Sequence, residues 1–195
     1  MLDLPIETRL LRIRRFRGGD ISAFVAFVTE PNAARNHGLE EWQTRPEGAR
    51  LLFDHILSQY RSENPLHCYA LADRHSDSAL GSCGYSLYAA GIVECYYGIN
   101  AAHAGHGLAS EATRTLVQSL LALPDVGEVR AYCAPENQAA HRVAERAGLK
   151  RRGLRLHSNA GIERLLFSRE ADDRPTANHQ KPPPFTADPE TRPKL

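Results

Sequence analysis

The residues with chemical reach in this chain gather around Ala104-Gly105-His106-Gly107-Leu108-Ala109-Ser110-Glu111. Two glycines one residue apart stand there at the point where an extended stretch gives way to an amphipathic helix. A turn of this kind aims several free N–H groups at the start of a helix, where the dipole is positive, and so makes a cradle for a phosphate or pyrophosphate. Glycine suits both positions, because a side chain at Gly105 or Gly107 would hold a phosphate off the amides. Two familiar phosphate loops do not fit. A dinucleotide fingerprint wants a third glycine where Ser110 stands, and a P-loop wants Gly-Lys-Ser or Gly-Lys-Thr, which is absent.

The elements that must position this turn follow from periodicity. Leu10 to Phe16 reads as a first strand with a solvated arginine face, and Gly18-Gly19-Asp20 as a turn whose Asp20 caps a helix beginning near Ile21. Pro46-Glu47 opens a second helix carrying Leu52, Ile56 and Tyr60 on one side. Cys68 to Ala72, Leu80 to Ala89 and Gly91 to Asn100 read as consecutive antiparallel strands. Leu108, Ala112, Leu116 and Leu120 then mark the apolar stripe of the helix that the glycine turn opens. Val129 to Ala134 is a further strand, and Asn137 leads into a helix that Gly148 ends. Strand, turn, helix and strand make a βαβ crossover, which sets Gly91 to Asn100 parallel to Val129 to Ala134. Gly153 to His157 and Ile162 to Ser168 form a closing hairpin around Ser158-Asn159-Ala160-Gly161. The result is an α+β (α/β) fold with a mixed, mostly antiparallel sheet flanked by helices.

A chain of 195 residues with 42% hydrophobic content supports one domain, assigned to residues 1–171. Residues 172–195 are proline-rich and nearly without large apolar side chains, and are expected to be a disordered tail. A net charge of +1 argues against a nucleic-acid binder acting through bulk electrostatics. Cys68, Cys83, Cys95 and Cys133 are too widely spaced for a zinc site or a compact disulfide framework, and are expected to be buried reduced thiols of a cytoplasmic protein. No uncharged apolar stretch has the length of a membrane helix.

A glycine turn placed after antiparallel strands fits the pyrophosphate site for coenzyme A. The chain resembles the GNAT superfamily of acetyltransferases, and within it the RimJ/RimL branch that acetylates protein N-termini. The resemblance runs through Glu7-Thr8-Arg9-Leu10-Leu11-Arg12-Ile13-Arg14, Glu94 to Ile99, the glycine loop, and Pro135-Glu136-Asn137-Gln138-Ala139-Ala140 continued to Glu145-Arg146-Ala147-Gly148-Leu149. It implies the GNAT fold with a βαβ acetyl-CoA-binding unit, and acetyl-CoA as cofactor. It also implies that Gly105, His106, Gly107, Leu108, Ala109 and Ser110 bind the pyrophosphate, and that Gly98 and Ile99 hydrogen-bond the pantetheine arm. Asn137 would lie beside the thiol end; a plain helix N-cap is an equal and compatible role. The implied partners are acetyl-CoA and an amine acceptor, with no nucleic acid and no membrane, and a homodimer is compatible.

Acetyl transfer from a thioester needs a neutral amine and help for the leaving thiolate. At pH 7 deprotonating an α-amino group costs roughly 1 to 1.4 kcal/mol, against roughly 4.6 kcal/mol for a lysine. The resemblance makes Glu94 the candidate base, set against a salt-bridged strand carboxylate. Tyr97 and its neighbour Tyr96 either line the acceptor pocket or pack the core. The tyrosine acid common in the family is replaced by Ala144, and a common serine by Ala140. His141 either takes over as proton donor or is a surface histidine. The implied function is N-acetyl transfer by direct attack on a protein N-terminus or a small amine; the alternative is a catalytically silent acyl-CoA-binding module.

Overall fold

The computed structural model describes residues 2–31, 38–157 and 161–171. The expected tail at 172–195, the hairpin residues 158–160 and the middle of the connection at 29–45 lie outside the described residues. Eight strands, β1 (Ile6–Glu7), β2 (Leu11–Arg14), β3 (His67–Asp73), β4 (Ala79–Ala89), β5 (Ile92–Ile99), β6 (Glu128–Cys133), β7 (Lys150–His157) and β8 (Ile162–Glu170), form one sheet in the order β1-β2-β3-β4-β5-β6-β8-β7. Among the described residues the α-helices are α1 (Ile21–Thr29), α2 (Pro46–Gln59), α3 (Leu108–Leu121) and α4 (Gln138–Arg146). The pairing is antiparallel except between β5 and β6, which run parallel as the crossover rule requires.

Alternation along the strands sends side chains to two cores. On one face Leu11, Ile13, Leu71, Val129 and Phe167 pack with Leu116, Val117 and Leu120 of α3 and Ala144 of α4. On the other, Phe16, Cys68 and Ala70 pack with Phe24 and Phe27 of α1 and Phe53 and Ile56 of α2. Phe16, Phe24 and Phe53 meet at centroid separations of 5.1 to 5.6 Å, within the range where aromatic pairs add stability beyond their buried area. All four cysteines are free and buried. No helix among the described residues is long and apolar enough to cross a membrane.

Two local expectations are corrected. Arg14 does not belong to a solvated face: it is 4% exposed, donating to Asp20 at 2.7 and 3.1 Å and to Asp77 at 2.9 Å. Asp20 makes no side-chain cap on α1, because its carboxylate is taken by Arg14 and by the Arg17 N–H at 2.8 Å.

The feature that positions a site is a fork. β4 pairs with β5 through Ile99 and β6 pairs with β8 through Cys133, but β5 and β6 pair only from Ile92–Glu94 to Glu128–Arg130. Beyond Glu94 and Arg130 the sheet splits and opens toward the strand ends that lead into α3 and α4.

Candidate active site

At the mouth of the fork the chain leaves β5 and enters α3 through the glycine loop. Gly105 has φ +87° and Gly107 φ +79°, a left-handed backbone that favours glycine. A Cβ built on either would meet nothing within 4 Å, so the space in front of the loop is open to a ligand. The first helical backbone bond runs from the Glu111 N–H to Gly107 O at 3.0 Å. The N–H groups of Leu108, Ala109 and Ser110 therefore precede the α-helical ladder and stand as donors at its positive end. Glu111 anchors this end from behind, its carboxylate accepting the Leu10 N–H at 2.7 Å. His106 is exposed, with Nδ1 3.4 Å from His103 O. A cavity of about 540 Å³ adjoins the loop, its walls including Ser76, Ser78, His103, His106 and Leu108. A second, of about 460 Å³, lies between the N-terminal segment, β2 and the end of α2, and contains none of the candidate residues.

The open edge of β5 continues from this mouth to the vertex. The Asn100 N–H donates to Leu80 O at 2.8 Å, and by antiparallel alternation Gly98, opposite Ser82, also spends its backbone groups on β4. The expectation that Gly98 offers hydrogen bonds to an arm in the fork is thereby corrected. Ile99 keeps that orientation, and Tyr97 joins it: their N–H and C=O groups point into the gap. Asn100 adds a buried Oδ1 without a hydrogen-bond partner among the described residues, an acceptor suited to an amide N–H. The six strand residues from Glu94 to Ile99, five steps apart, span about 17 Å. Open space before the glycines, an orphaned acceptor and an unpaired edge all fit the phosphates and amides of coenzyme A.

On the α3 side of the fork, the Tyr97 hydroxyl donates to Ala140 O at 3.1 Å and lies 3.7 Å from Cys133 Sγ. Burial, then the neighbouring Cys133, pushes this phenol well above its ordinary value, so it keeps its proton. Burial also pushes the Cys133 thiol up, to about 11. Asn137 is the N-cap of α4, its Oδ1 accepting the Ala140 N–H at 3.0 Å. His141 is corrected on both counts: it is neither on the surface nor presented to the fork. It is 5% exposed, with Nε2 2.9 Å from Ala134 O and its ring 5.5 Å from that of Phe167. Ala144 is fully buried, so the position of the family's tyrosine is filled by core packing.

Glu94 sits at the vertex, opposite Arg130, on the sheet face shared with α1 and α2. Both carboxylate oxygens lie 3.0 Å from His157 Nε2. The His157 ring meets Tyr132 edge-on at 4.5 Å, and the Tyr132 hydroxyl donates to that of Tyr88 at 3.3 Å. Burial, then Tyr88, raises the Tyr132 phenol to about 12. Arg130 lies over the Tyr88 ring at 5.2 Å and grips Glu128 through two bonds of 2.9 Å, whose first effect is to hold the Glu128 carboxyl below its ordinary value. The sequence reading singled out Glu94 and missed His157, Tyr132 and Tyr88. Their only signal was position at the ends of strands that converge on the fork.

Comparison with known proteins agrees with this geometry. The family described as an acetyltransferase (GNAT) domain matches residues 10–150. No curated protein matches the sequence. Among solved structures, a GNAT-family acetyltransferase from Bacillus anthracis is similar at TM-score 0.71 and 18% identity, over 87% of this chain and 100% of that one. RimL, a ribosomal L7/L12 α-N-protein acetyltransferase in complex with coenzyme A, gives 0.66 and 15% over 87% and 100%. An aminoglycoside acetyltransferase, also with coenzyme A, gives 0.63 and 16% over 81% and 93%. By its family match and its fold, the chain belongs to the GNAT acetyltransferases, which carry acetyl groups from acetyl-CoA to amines.

Proposed function

We propose that this enzyme acetylates an α-amino group or a small-molecule amine by direct attack of the amine on the bound thioester, with Glu94 as base. The observation that carries this reading is the line from the glycine loop along the open β5 edge to the Glu94 carboxylate at the vertex. The amides of Leu108, Ala109 and Ser110, with the turn at Gly105 to Gly107, hold the pyrophosphate. The backbone of Tyr97 and Ile99 and the Oδ1 of Asn100 hold the arm. Bound acetyl-CoA supplies the activated acyl group. Glu94 accepts the amine proton, directly or through water, while the His157 N–H fixes the carboxylate's orientation. As the C–S bond breaks, coenzyme A leaves as its thiolate and takes a proton from water, since the α4 position of the family's tyrosine is Ala144 and the Tyr97 proton is committed to Ala140 O. The free buried thiols support a cytoplasmic setting, and residues 1–171 are taken as one catalytic domain.

A thiol-release assay with acetyl-CoA and a panel of N-terminal peptides and small amines tests the reading. Turnover on at least one amine is expected, falling about 100-fold in Glu94→Gln at neutral pH. Tight coenzyme A binding with no turnover on any amine would instead establish the silent binding module, which Ala140 and Ala144 favour.

A further inference from the structure

The sheet face that carries Glu94 is covered unevenly. The core built by α1 and α2 draws on Phe16 just past β2, on Cys68 and Ala70 of β3, on Ala79 of β4 and on Tyr96 of β5, and on no described residue of β6, β7 or β8. Over those three strands the face is finished by their own side chains, and two of these are mismatched. Arg155 of β7 and Arg164 of β8 are direct cross-strand partners, one step from the pair His157 and Ile162 on the same face. Like charges placed directly opposite destabilise a strand pair.

Several arginines elsewhere have acidic partners. Arg130 has Glu128, Arg152 has Ser168 and Glu170, and Arg12, Arg14 and Arg17 share Asp77. Among the described residues neither Arg155 nor Arg164 enters a salt bridge, and Arg155 donates only to the neighbouring Leu154 O at 2.7 Å. Two arginines at facing strand positions, with Cβ atoms about 4.5 to 5.5 Å apart, can both swing onto one carboxylate. Arg155 stands two residues, or about 7 Å along β7, from the histidine that holds Glu94, and Arg164 faces Arg155 from β8. An extended peptide whose amine is at Glu94 advances 3.3 to 3.6 Å per residue, roughly, so its second or third side chain reaches that pair.

We propose that the acceptor is the N-terminus of an acidic peptide, with its α-amine at Glu94 and an Asp or Glu at its second or third position bound by Arg155 and Arg164. The proposal rests on the acetyltransferase reading. Acceptors that carry further ammonium groups are repelled by the same pair, and a polyanionic nucleic acid is disfavoured by the net charge of +1.

Three peptides identical except for Asp-Glu, Ser-Gln or Lys-Lys at positions two and three provide the test. Their kcat/KM is measured at low and high salt, alongside anisotropy of the labelled acidic peptide with the coenzyme A-loaded protein. The acidic peptide should be preferred about tenfold over the neutral one and further over the basic one, with the preference shrinking in salt. Arg155→Gln with Arg164→Gln should bring the acidic-to-neutral ratio toward one, mainly through KM. Equal kcat/KM for the three peptides, a preference for Lys-Lys, or displacement of the peptide by a short oligonucleotide at lower concentration would overturn the proposal. Turnover without acidic preference overturns this proposal alone, whereas no turnover on any amine overturns the catalytic reading and the acceptor's identity with it.

Discussion

Both carboxylate oxygens of Glu94 lie 3.0 Å from Nε2 of His157, so the last residue of β7 is tied to the vertex where β5 and β6 part. A single N–H shared by two oxygens fixes the carboxylate plane and leaves each oxygen lone pairs for a proton or a water. Replacing His157 by Phe should lower kcat by about tenfold while leaving the affinity for coenzyme A unchanged, and His157→Gln, which keeps an N–H donor, should recover part of the loss. Steady-state kinetics with calorimetric coenzyme A binding separates the two effects. Equal loss in both variants, with folding intact, would remove the orienting role.

The glycine loop should answer to backbone geometry alone. Gly107→Ala places a Cβ at φ +79°, which costs about 1 to 2 kcal/mol in a left-handed conformation. Outside its own turn that Cβ meets no atom of the described residues within 4 Å, so a loss of ligand affinity comes from the strained turn or from contact with the ligand. Coenzyme A affinity measured by calorimetry should fall at least about tenfold, with a modest drop in melting temperature. Unchanged affinity would place the phosphates elsewhere.

How far the sequence carried these conclusions differs from residue to residue. The loop was legible because a glycine pair ahead of an amphipathic stripe is local information, and the parallel β5–β6 pair followed from the handedness of the crossover. The two-residue β1 was not, and the strand expected from Gly153 begins at Lys150, where Lys150, Arg151 and Arg152 are exposed and give no alternation. Gly98 was misassigned because the direction of its backbone groups depends on the register Ser82 to Gly98, which no local pattern encodes. His157 meets Glu94 across 63 residues of sequence, a contact that only the fold brings about. His141 looked like a surface residue because its carbonyl partner Ala134 and ring partner Phe167 are set by the packing of α4.

The buried pair Arg14 and Asp20 should matter for stability rather than catalysis. Asp20→Asn removes one of the two carboxylates that hold the buried Arg14, which keeps Asp77, so it should cost about 1.5 to 3 kcal/mol in urea unfolding. Burial alone would raise the Asp77 carboxyl, but Arg14, Arg17 and Arg12 together hold it below its ordinary value. A depressed carboxyl contributes stability that is full above its unfolded value near about 3.9 and lost as pH falls further. Unfolding free energy measured from pH 6 down should therefore decline less steeply in Asp77→Asn.

The thiol of Cys133, raised by burial to about 11, should be nearly inert at neutral pH despite lying at the fork. Since the thiolate is the reactive form, alkylation should speed up about tenfold per pH unit from pH 7 toward 10. Mass spectrometry after timed labelling reads this directly, and rapid labelling at pH 7 would show the site to be far more open than its burial indicates.

The most direct measurement is the mass of the acceptor itself. Incubating the protein with acetyl-CoA and an N-terminal peptide beginning Ser-Asp-Glu should add one acetyl group to the α-amine, with stoichiometric release of coenzyme A and about 100-fold slower product formation by Glu94→Gln. Coenzyme A bound at the loop with no acetylated product from this or any other amine would contradict the account.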